Sequence, residues 1–490
     1  MRSRRSTRSR ALVAAVLAAL TVASGAQASP VPPFDQHGRW VLDAKGRVVV
    51  LHGVNMVNKR TPYAPDALGF GEDDVRAIKR EGFNTVRLGI IYKGLEAERG
   101  RYDDGYLARI VATARLLQKH GVYPLVDFHQ DMYNERFNGQ GFPDWAVRDD
   151  GLPAAPDQGF PANYLIMPAL QRAYDHFFED VDLQEPYAAA WAHVAKRFRK
   201  ERALIGFDIF NEPFPGTRWQ SCANPAGCPD LDAKLATFSK RVFEAIRRVD
   251  RRNVLWWEPY LVFNNGAQTS HGDTGDGRAG MSFHMYCLSE TPGLTPPGGG
   301  GPDTGGCGFE DELVLDNARA VSDATGDALL LSEFGASDDL DSIARVLDEA
   351  DAEEMSWQYW SWWNRDVCCE RPTEGVIRDI SKPPTPDNLK QDKLDVLVRP
   401  YPQAVAGTPE RWSFDRATRE FALEYRVKGP EGRRRPTYVP TEVFVPRRHY
   451  PKGYTVEVTG ARVVSKRDAE LLLLRAKLAA GKVSVRVKPR

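Results

Sequence analysis

Short apolar runs alternate with longer helix-patterned segments through residues 47–362, and this repeat constrains the fold more than any other feature of the chain. Eight strand-like runs occur in order, at residues 50–56, 85–88, 123–128, 204–209, 253–257, 281–286, 328–332 and 355–360. Helix-patterned segments lie between them at 72–81, 102–120, 185–200, 230–249, 309–325 and 339–349, whereas the segment after the fifth run has no clear pattern. Strands joined through helices run parallel, and eight of them can close on themselves. We therefore predict an α/β fold with a closed (β/α)8 barrel.

The pattern changes at about residue 399 to short alternating runs separated by Pro/Gly turns, at 421–427, 437–445, 455–459, 461–464 and 482–487. Such runs are typical of an antiparallel β-sandwich. Residues 469–480 fit either a strand with a turn or a short helix, because their periodicity does not decide. No long Ser/Thr/Pro linker precedes this region, so we expect rigid docking. The predicted order is a signal peptide (1–28), a (β/α)8 TIM barrel (29–398) and a β-sandwich (399–490).

The first 28 residues have the pattern of an export signal. Residues 1–10 contain five arginines and no acidic residue, residues 11–22 are almost wholly apolar, and Ala26 and Ala28 form a small-x-small cleavage site. The apolar run is too short for a bilayer, which needs roughly 20 residues. We therefore predict cleavage after Ala28 and secretion.

Export permits disulfides, and the six cysteines are Cys222, Cys228, Cys287, Cys307, Cys368 and Cys369. The first two flank a short Asn-Pro-Ala-Gly turn and the next two bracket a Gly/Pro-rich stretch, so we favour these two local bridges. The adjacent last pair could bond only in a strained eight-membered ring. None of the spacings is that of a zinc site, and we expect no metal.

Polar side chains stand at the carboxyl ends of the predicted strands, where the chemistry of such barrels takes place. In chain order they are Asn55, Lys59, Arg87, His129, Asp131, Asn211, Glu212, Glu258, His284, Tyr286, Glu333, Trp360 and Trp362. Core packing does not require such a set, so we expect most of its members to converge on a ligand. Glu258 fits a capped turn equally well.

Glu212 and Glu333 follow the fourth and seventh strands, which face each other across a closed barrel. Paired carboxylates without a metal suggest glycoside hydrolysis, with retention if they lie about 5 to 5.5 Å apart. Because two close carboxyls cannot both ionise easily, one must hold a proton. We expect Arg87 to keep Glu333 ionised as nucleophile and Glu212, with a raised pKa, to act as acid and then as base.

The remaining polar residues suit a sugar. Asn211 can bind the sugar 2-hydroxyl, while His129, His284 and Tyr286 can bind hydroxyls or orient the carboxylates. Trp360 offers an apolar floor for a pyranose ring. Trp362 would share its face if the strand continued, and we favour Trp360.

These residues resemble glycoside hydrolase family 5, in which an Arg lies on the second strand, Asn-Glu follows the fourth, His-x-Tyr lies on the sixth, Glu follows the seventh and Trp lies on the eighth. Within that family, the sequence most resembles the endoglycoceramidases, and the segments at 129–131, 139–146, 210–216 and 399–409 carry this resemblance. The resemblance implies cleavage between oligosaccharide and ceramide without a cofactor. It also implies Glu212 as acid/base, Glu333 as nucleophile, and sugar binding by Lys59, His129, Asp131, Asn211 and Tyr286.

A lipid-linked substrate also needs an apolar approach. The candidates are Met132, Tyr133, Phe137, Phe142, Trp145 and residues 164–167. Packing in a loop core or against the barrel is the favoured alternative for each of them singly, but as a group they could line a ceramide channel. The Gly/Pro-rich loop at 292–306 lies where the substrate entrance should be. Two other functions stay open: a cellulase or mannanase with an open groove, and a catalytically silent glycolipid-binding protein.

The chain carries 66 basic and 66 acidic residues, which argues against a nucleic-acid partner, but the charges are unevenly divided. The signal carries +5, residues 29–398 carry −17 and residues 399–490 carry +12. This division predicts either electrostatic docking between the domains or peripheral contact of the basic sandwich with anionic, glycolipid-bearing membranes or micelles. We expect a monomer.

Overall fold

A computed structural model describes residues 30–287, 306–363, 365 and 369–490, and it contains a closed barrel of eight parallel strands. We label them β1 (His52–Met56), β2 (Thr85–Ile90), β3 (Tyr123–Phe128), β4 (Gly206–Asp208), β5 (Val254–Trp257), β6 (Ala279–Met285), β7 (Ala328–Phe334) and β8 (Trp357–Tyr359). Each strand pairs with the next, and β8 pairs with β1 to close the ring. The predicted (β/α)8 TIM barrel is confirmed.

Helices surround the barrel and cover its outer face. The α-helices are Glu72–Arg80, Tyr92–Leu95, Asp104–Lys119, Ala162–Ile166, Pro168–Glu179, Val181–Phe198, Trp219–Cys222, Pro229–Arg247, Gly306–Thr325, Leu340–Ala352 and Gln391–Leu397. The 3-10 helices are Pro65–Leu68, Glu135–Phe137, Asp144–Ala146, Gly216–Arg218, Leu261–Asn265 and Pro386–Asn388. Between β5 and β6, where all of residues 258–278 are described, a 3-10 helix replaces the α-helix. The unclear pattern of this segment reflects that short turn.

The helix Asp104–Lys119 illustrates how the sequence specifies these elements. Asp103 caps it by accepting a hydrogen bond from the Tyr106 backbone N–H at 2.8 Å. Its buried residues include Leu107, Ile110 and Leu117, which recur at helical spacing and face the barrel. The opposite face is polar, so the helix can pack in only one orientation.

The second domain is a sandwich of two antiparallel sheets. One sheet has seven strands, in the spatial order Asp35–His37, Trp40–Leu42, Val48–Val49, Tyr401–Val405, Thr441–Phe444, Leu471–Ala476 and Ala461–Val463. The other has four, in the order Thr408–Asp415, Glu420–Arg426, Lys482–Pro489 and Tyr454–Thr459. The segment that the sequence left undecided is therefore a strand, Leu471–Ala476.

The sandwich extends beyond the predicted boundary at residue 399. Three of its seven strands come from residues 35–49, ahead of the barrel, and Val48–Val49 pairs with Tyr401–Val405. These strands are two or three residues long, so too few alternating residues were present to signal them. The barrel is thus inserted into the sandwich.

The sandwich docks at the amino-terminal end of the barrel, opposite the strand ends that carry the polar residues. The Tyr401 hydroxyl donates to the carbonyl of Gly82, in the turn that precedes β2, at 2.8 Å. Arg399 pairs with Asp351 at 2.6 Å and with Asp348 at 3.0 Å, both on the helix Leu340–Ala352. The docking contact therefore uses opposite charges from the two domains.

Two predicted disulfides, Cys222–Cys228 and Cys287–Cys307, are confirmed. The predicted signal peptide at 1–28, Cys368 and the entrance loop up to residue 305 lie outside the described residues. Within the described ranges, none of the helices combines the length and the apolar character needed to cross a bilayer.

Candidate active site

Arg87 is the centre of the charged network at the carboxyl ends of the strands. It lies within β2, and its side chain is fully buried. The guanidinium contacts four carboxylates: Asp127 at 3.1 Å, Asp208 at 2.9 Å, Glu258 at 2.7 Å and Glu333 at 2.5 Å. Burial alone would lower the pKa of Arg87, but these carboxylates raise it well above its usual value. The site is therefore built around a permanent positive charge.

Glu333 reaches this network from β7. A β-bulge between Leu331 and Glu333 shifts the register so that Glu333 lies beside His284 of β6. One Glu333 oxygen accepts from Arg87, and the other accepts from the Tyr286 hydroxyl at 3.0 Å. Burial raises the pKa of Glu333, whereas His284 and Arg87 lower it. Arg87 thus acts on the pKa of Glu333 in the predicted direction, but burial outweighs it and the pKa is raised.

Glu212 approaches from the turn after β4, with its backbone in the left-handed region at a φ of 47°. Its Oε1 accepts from the Asn264 amide at 2.8 Å and lies 2.8 Å from His284 Nδ1. Among the described residues, none forms a hydrogen bond with the other carboxylate oxygen, Oε2. Oε2 is therefore the oxygen that can carry a proton to a bound molecule.

His284 lies between the carboxylates. Its Nδ1 is also 3.6 Å from Glu333, and its Nε2 is 3.4 Å from Glu258. Burial alone would lower the pKa of His284, but Glu258, Glu333 and Glu212 raise it well above its usual value. A protonated imidazole here limits the repulsion between the acids.

A second cluster adjoins the first and contains Lys59, His129, Asp131 and Trp360. Lys59 Nζ lies 2.7 Å from Asp131 and 4.3 Å from the Trp360 ring centre. The His129 ring stacks on Trp360 with 5.1 Å between the ring centres. Its Nδ1 lies 2.9 Å from Asp127, which also contacts Arg87 and so joins the two clusters.

Trp360 and Trp362 lie in different surroundings. Trp360 is held at the mouth by a 2.9 Å hydrogen bond from its indole nitrogen to Glu374. Trp362 instead donates to Asp74, on the helix Glu72–Arg80 outside the barrel, at 3.0 Å. The strand ends at Tyr359, so alternation does not extend to Trp362.

The ten site residues that the sequence predicts lie in these two clusters. Around Glu212 and Glu333 are Arg87, Asn211, His284 and Tyr286; in the second cluster are Lys59, His129, Asp131 and Trp360. Asn211 accepts from Arg87 at 2.9 Å and donates to the Gln130 carbonyl at 2.9 Å. These two bonds fix the orientation of its amide at the end of β4.

The sequence left Glu258 undecided between the site and a capped turn, and it did not indicate Asn264 or Glu374. Glu258 follows β5 directly, so its position at a strand end was a usable signal. Asn264 lies in the 3-10 helix Leu261–Asn265, where no periodicity distinguishes it. Glu374 lies 15 residues beyond the end of β8 and reaches the site only through the fold of that loop.

Most candidates for an apolar approach after β3 pack in a loop core, which is the alternative that the sequence favours for each of them singly. Met132, Tyr133, Phe137 and Phe142 are buried, as are Tyr164 and Met167. The Tyr133 ring stacks on Phe142 with 4.1 Å between centres, and both pack against Phe177 of the helix Pro168–Glu179. Mutual packing of these rings fills the core beneath the loop.

Glu212, His284 and Glu333 could also be considered as metal ligands, because one donor atom from each lies within 4.8 Å of the others. However, His284 Nδ1 is at hydrogen-bond distance from Glu212, and Arg87 and Tyr286 already donate to Glu333. A cation would have to displace a cationic partner from each carboxylate. The donor set suits proton transfer and nucleophilic attack at one centre better than metal binding.

Comparison with known proteins agrees with this geometry. Residues 42–366 match the model of the cellulase family, glycosyl hydrolase family 5. The chain belongs to glycosyl hydrolase family 5. Residues 399–487 match the C-terminal domain of the same family, so both domains of this glycoside hydrolase are accounted for.

Within the family the chain is endoglycoceramidase-like. It is 30% identical to endoglycoceramidase I of Rhodococcus hoagii over 471 residues, which cover 94% of this chain and 89% of that protein. It is 28% identical to an endoglycoceramidase of Cyanea nozakii, with 85% of each chain covered. The solved endo-glycoceramidase II of Rhodococcus sp. in complex with ganglioside GM3 superposes with a TM-score of 0.75 at 28% identity, covering 92% of this chain and 99% of that one. That protein has also been solved as a lactosyl-enzyme intermediate.

Proposed function

We propose that the chain is a secreted endoglycoceramidase, a retaining hydrolase that cleaves the β-glycosidic bond between the oligosaccharide and the ceramide of glycosphingolipids. One observation carries the proposal: one carboxylate oxygen of Glu212 and one of Glu333 lie within 4.8 Å of each other at the mouth of the barrel. Retaining enzymes need about 5 to 5.5 Å between the carboxyls, whereas inverting enzymes need at least about 6.5 Å to admit a water. The short spacing favours retention.

In the first step, a Glu333 oxygen attacks the anomeric carbon of the sugar. The bond from that carbon to the ceramide oxygen breaks, and Glu212 gives its proton to the departing oxygen. Both hydrogen bonds to Glu212 fall on Oε1, which leaves Oε2 to deliver that proton. The products of this step are free ceramide and a sugar ester of Glu333.

In the second step, Glu212 acts as a base. A water gives its proton to the Glu212 carboxylate and attacks the anomeric carbon, and the ester bond to Glu333 breaks. Arg87 and Tyr286 both donate to Glu333, so they stabilise the carboxylate as it leaves. The sugar is released with its original β configuration and the enzyme returns to its starting state.

The second cluster supplies the sugar pocket. Lys59 and Asp131 present a donor and an acceptor 2.7 Å apart, and Trp360 presents a ring face held by Glu374. Relatives named endoglycoceramidases, and one solved with ganglioside GM3, support a glycosphingolipid as substrate. Secretion is supported by the signal pattern of residues 1–28 alone.

We include contact with anionic lipid surfaces in the same proposal. The tip of the sandwich, which is formed by the loops that contain Tyr438 and Leu478, is the surface that we expect to make this contact. Leu478 and Tyr438 are the most exposed large apolar side chains of the described chain, at 82% and 70%. Arg434 joins their two loops by donating to the carbonyls of Lys477 and Ala480, both at 2.8 Å. Exposed apolar side chains among cations suit the interface of an anionic bilayer.

The catalytic proposal is tested with Glu333→Gln and Glu212→Gln on a ganglioside. The wild-type protein should release intact oligosaccharide and ceramide, and the β-anomer should appear first by NMR. Each variant should lower kcat by at least about 100-fold, because each removes a group that transfers a bond or a proton. Glu244→Gln, an exposed carboxylate on the helix Pro229–Arg247, is the matched control and should retain wild-type turnover.

Two results would contradict the proposal. Near-normal turnover by either active-site variant would exclude the assigned roles, and an α-anomer appearing first would exclude retention. Carboxymethylcellulose tests the alternative that the protein is a cellulase, because a cellulase would cleave this substrate and would not cleave the ganglioside. A glycolipid-binding protein without activity would bind the ganglioside and cleave neither.

A further inference from the structure

We propose that Glu258 is a positioning residue that sets the separation between Glu212 and Glu333. The inference deepens the proposed function and rests on it. Glu258 follows β5 directly and is 5% exposed, and it uses its two oxygens for different partners. Oε2 accepts from the Glu212 backbone N–H at 2.7 Å, and Oε1 accepts from Arg87 at 2.7 Å.

Glu212 needs such an anchor because of its backbone conformation. Its φ of 47° lies in the left-handed region, which costs a residue with a side chain about 1 to 3 kcal/mol unless its surroundings enforce it. Glu258 holds the N–H of this residue, and Gln130 donates to its carbonyl at 3.2 Å. Both backbone groups are therefore fixed, and the direction of the side chain follows from them.

Arg87 extends the connection to the nucleophile. It donates to Glu258 through one terminal nitrogen and to Glu333 through the other, at 2.7 Å and 2.5 Å. A continuous series of hydrogen bonds thus runs from the Glu212 backbone through Glu258 and Arg87 to Glu333. Loss of the Glu258 carboxylate would release the Glu212 backbone, while Glu333 would keep its bond to Arg87.

A glutamine cannot take over both contacts. Three donors face Glu258: the Glu212 N–H on Oε2, and Arg87 and, at 3.4 Å, His284 Nε2 on Oε1. A carboxylate accepts on both oxygens, whereas an amide has one oxygen and a donating NH₂ group. In Glu258→Gln the NH₂ group would oppose either Arg87 or the Glu212 N–H. Since the amide is nearly the same size, this variant changes the contacts without opening a cavity.

The test compares two β-lactosides that differ in how much they need an acid. Octyl β-lactoside has a poor leaving group and depends on proton donation, whereas 2,4-dinitrophenyl β-lactoside has a good one and does not. Glu258→Gln should lower kcat/KM on the octyl lactoside by about 100-fold and on the aryl lactoside by no more than about tenfold. A displaced acid/base, but not general structural damage, produces this difference.

Asp208→Asn is the matched control, because Asp208 also contacts Arg87, at 2.9 Å, but Glu212 is not among its hydrogen-bond partners. It should lower both kcat/KM values by the same factor. Equal losses on the two lactosides in Glu258→Gln would overturn the inference. If Glu258→Gln does not fold, Glu258→Asp replaces it, because aspartate keeps the charge and shortens the side chain. The same comparison of the losses in kcat/KM on the two lactosides then decides. A wild-type protein that cleaves neither the ganglioside nor the lactosides would overturn the proposed function, and this inference with it.

Discussion

His129 shows how one residue of the site depends on both of its neighbours. It is buried between Asp127 and Asp131, at 2.9 Å and 3.3 Å, and lies over the Trp360 ring. Burial alone would lower the pKa of His129, but hydrogen bonds to the two carboxylates raise it to about 9. At neutral pH the ring is therefore a cation that binds the second cluster to the first.

This pKa predicts a pH window for stability. The pKa of His129 in the folded state is above its unfolded value of about 6.5, so protonation of His129 stabilises the fold. This stabilisation is complete below pH 6.5 and is lost as the pH rises through about 9. His129→Asn should lower the free energy of unfolding by up to about 3 kcal/mol more at pH 6 than at pH 10, as measured by urea unfolding.

His271→Asn provides the opposite case. Burial lowers the pKa of His271 to about 4, so the contribution of its neutral ring is present above pH 6.5 and is lost as the pH falls through about 4. The two variants should therefore diverge from the wild type in different pH ranges. Parallel pH profiles would contradict the assignment.

At the scale of single residues, Glu212 and Glu333 were predictable because both follow the ends of predicted strands. Glu212 and Glu333 follow buried runs that are visible in the sequence, and opposite strands of a closed barrel must bring them together. The position of Glu258 could be read in the same way, but its contact could not. That contact depends on the left-handed backbone of Glu212, which a glutamate does not signal.

At the scale of elements, the strands and the long helices were predictable because each has a regular apolar period. The helix predicted at 102–120 is Asp104–Lys119, and the strand predicted at 123–128 has those bounds. The loop after β3 leaves two alternatives open at the level of sequence, since apolar composition does not show whether rings face a channel or each other. Tertiary packing alone decides that.

The docking of the sandwich on the helix Leu340–Ala352 makes a prediction about stability. Arg399 is fully buried and pairs with Asp351, which also accepts from the Trp412 indole at 2.8 Å. Arg399→Met would leave Asp351 buried without its cation, and such a loss costs about 3 kcal/mol or more. The midpoint of urea unfolding should fall accordingly.

Arg448→Met is the control for this interface. Arg448 pairs with Glu81 and Asp395 across the same boundary, but its side chain is 18% exposed, and those of Glu81 and Asp395 are 11% and 60% exposed, so both of its partners keep contact with water. Its removal should cost about 1 kcal/mol or less. Similar midpoints for the two variants would show that the buried pair does not govern docking.

The whole molecule has a strong charge asymmetry, with −17 on residues 29–398 and +12 on residues 399–490. Ion pairs at the docking contact use a few of these charges, among them Arg399 and Arg448. Many of the sandwich arginines face solvent, including Arg433 and Arg434, and Arg434 donates to the carbonyl of Lys477, next to the exposed Leu478. The asymmetry therefore leaves a basic surface at the tip of the sandwich.

This surface predicts binding to vesicles that contain phosphatidylserine. Cosedimentation of the protein should decrease with added salt, and Arg433→Glu combined with Arg434→Glu should weaken it at least about tenfold, since each basic residue near such a surface contributes about 1 kcal/mol. Arg416→Glu combined with Arg486→Glu makes the same charge change away from the tip and should bind more tightly than the tip variant. Binding that is insensitive to salt and to anionic lipid would contradict the contact, while cleavage of soluble lactosides would be unaffected.

The insertion of the barrel into the sandwich has a consequence for biosynthesis. The strands in residues 35–49 emerge from the ribosome before the barrel, whereas their partner Tyr401–Val405 emerges more than 350 residues later. During that interval the early strands have an unpaired edge, and such edges promote aggregation. The barrel can form first, but the sheet beneath it is completed only near the end of translation. A fragment that begins at residue 399 would lack three of the seven strands of that sheet and should not fold as an independent domain.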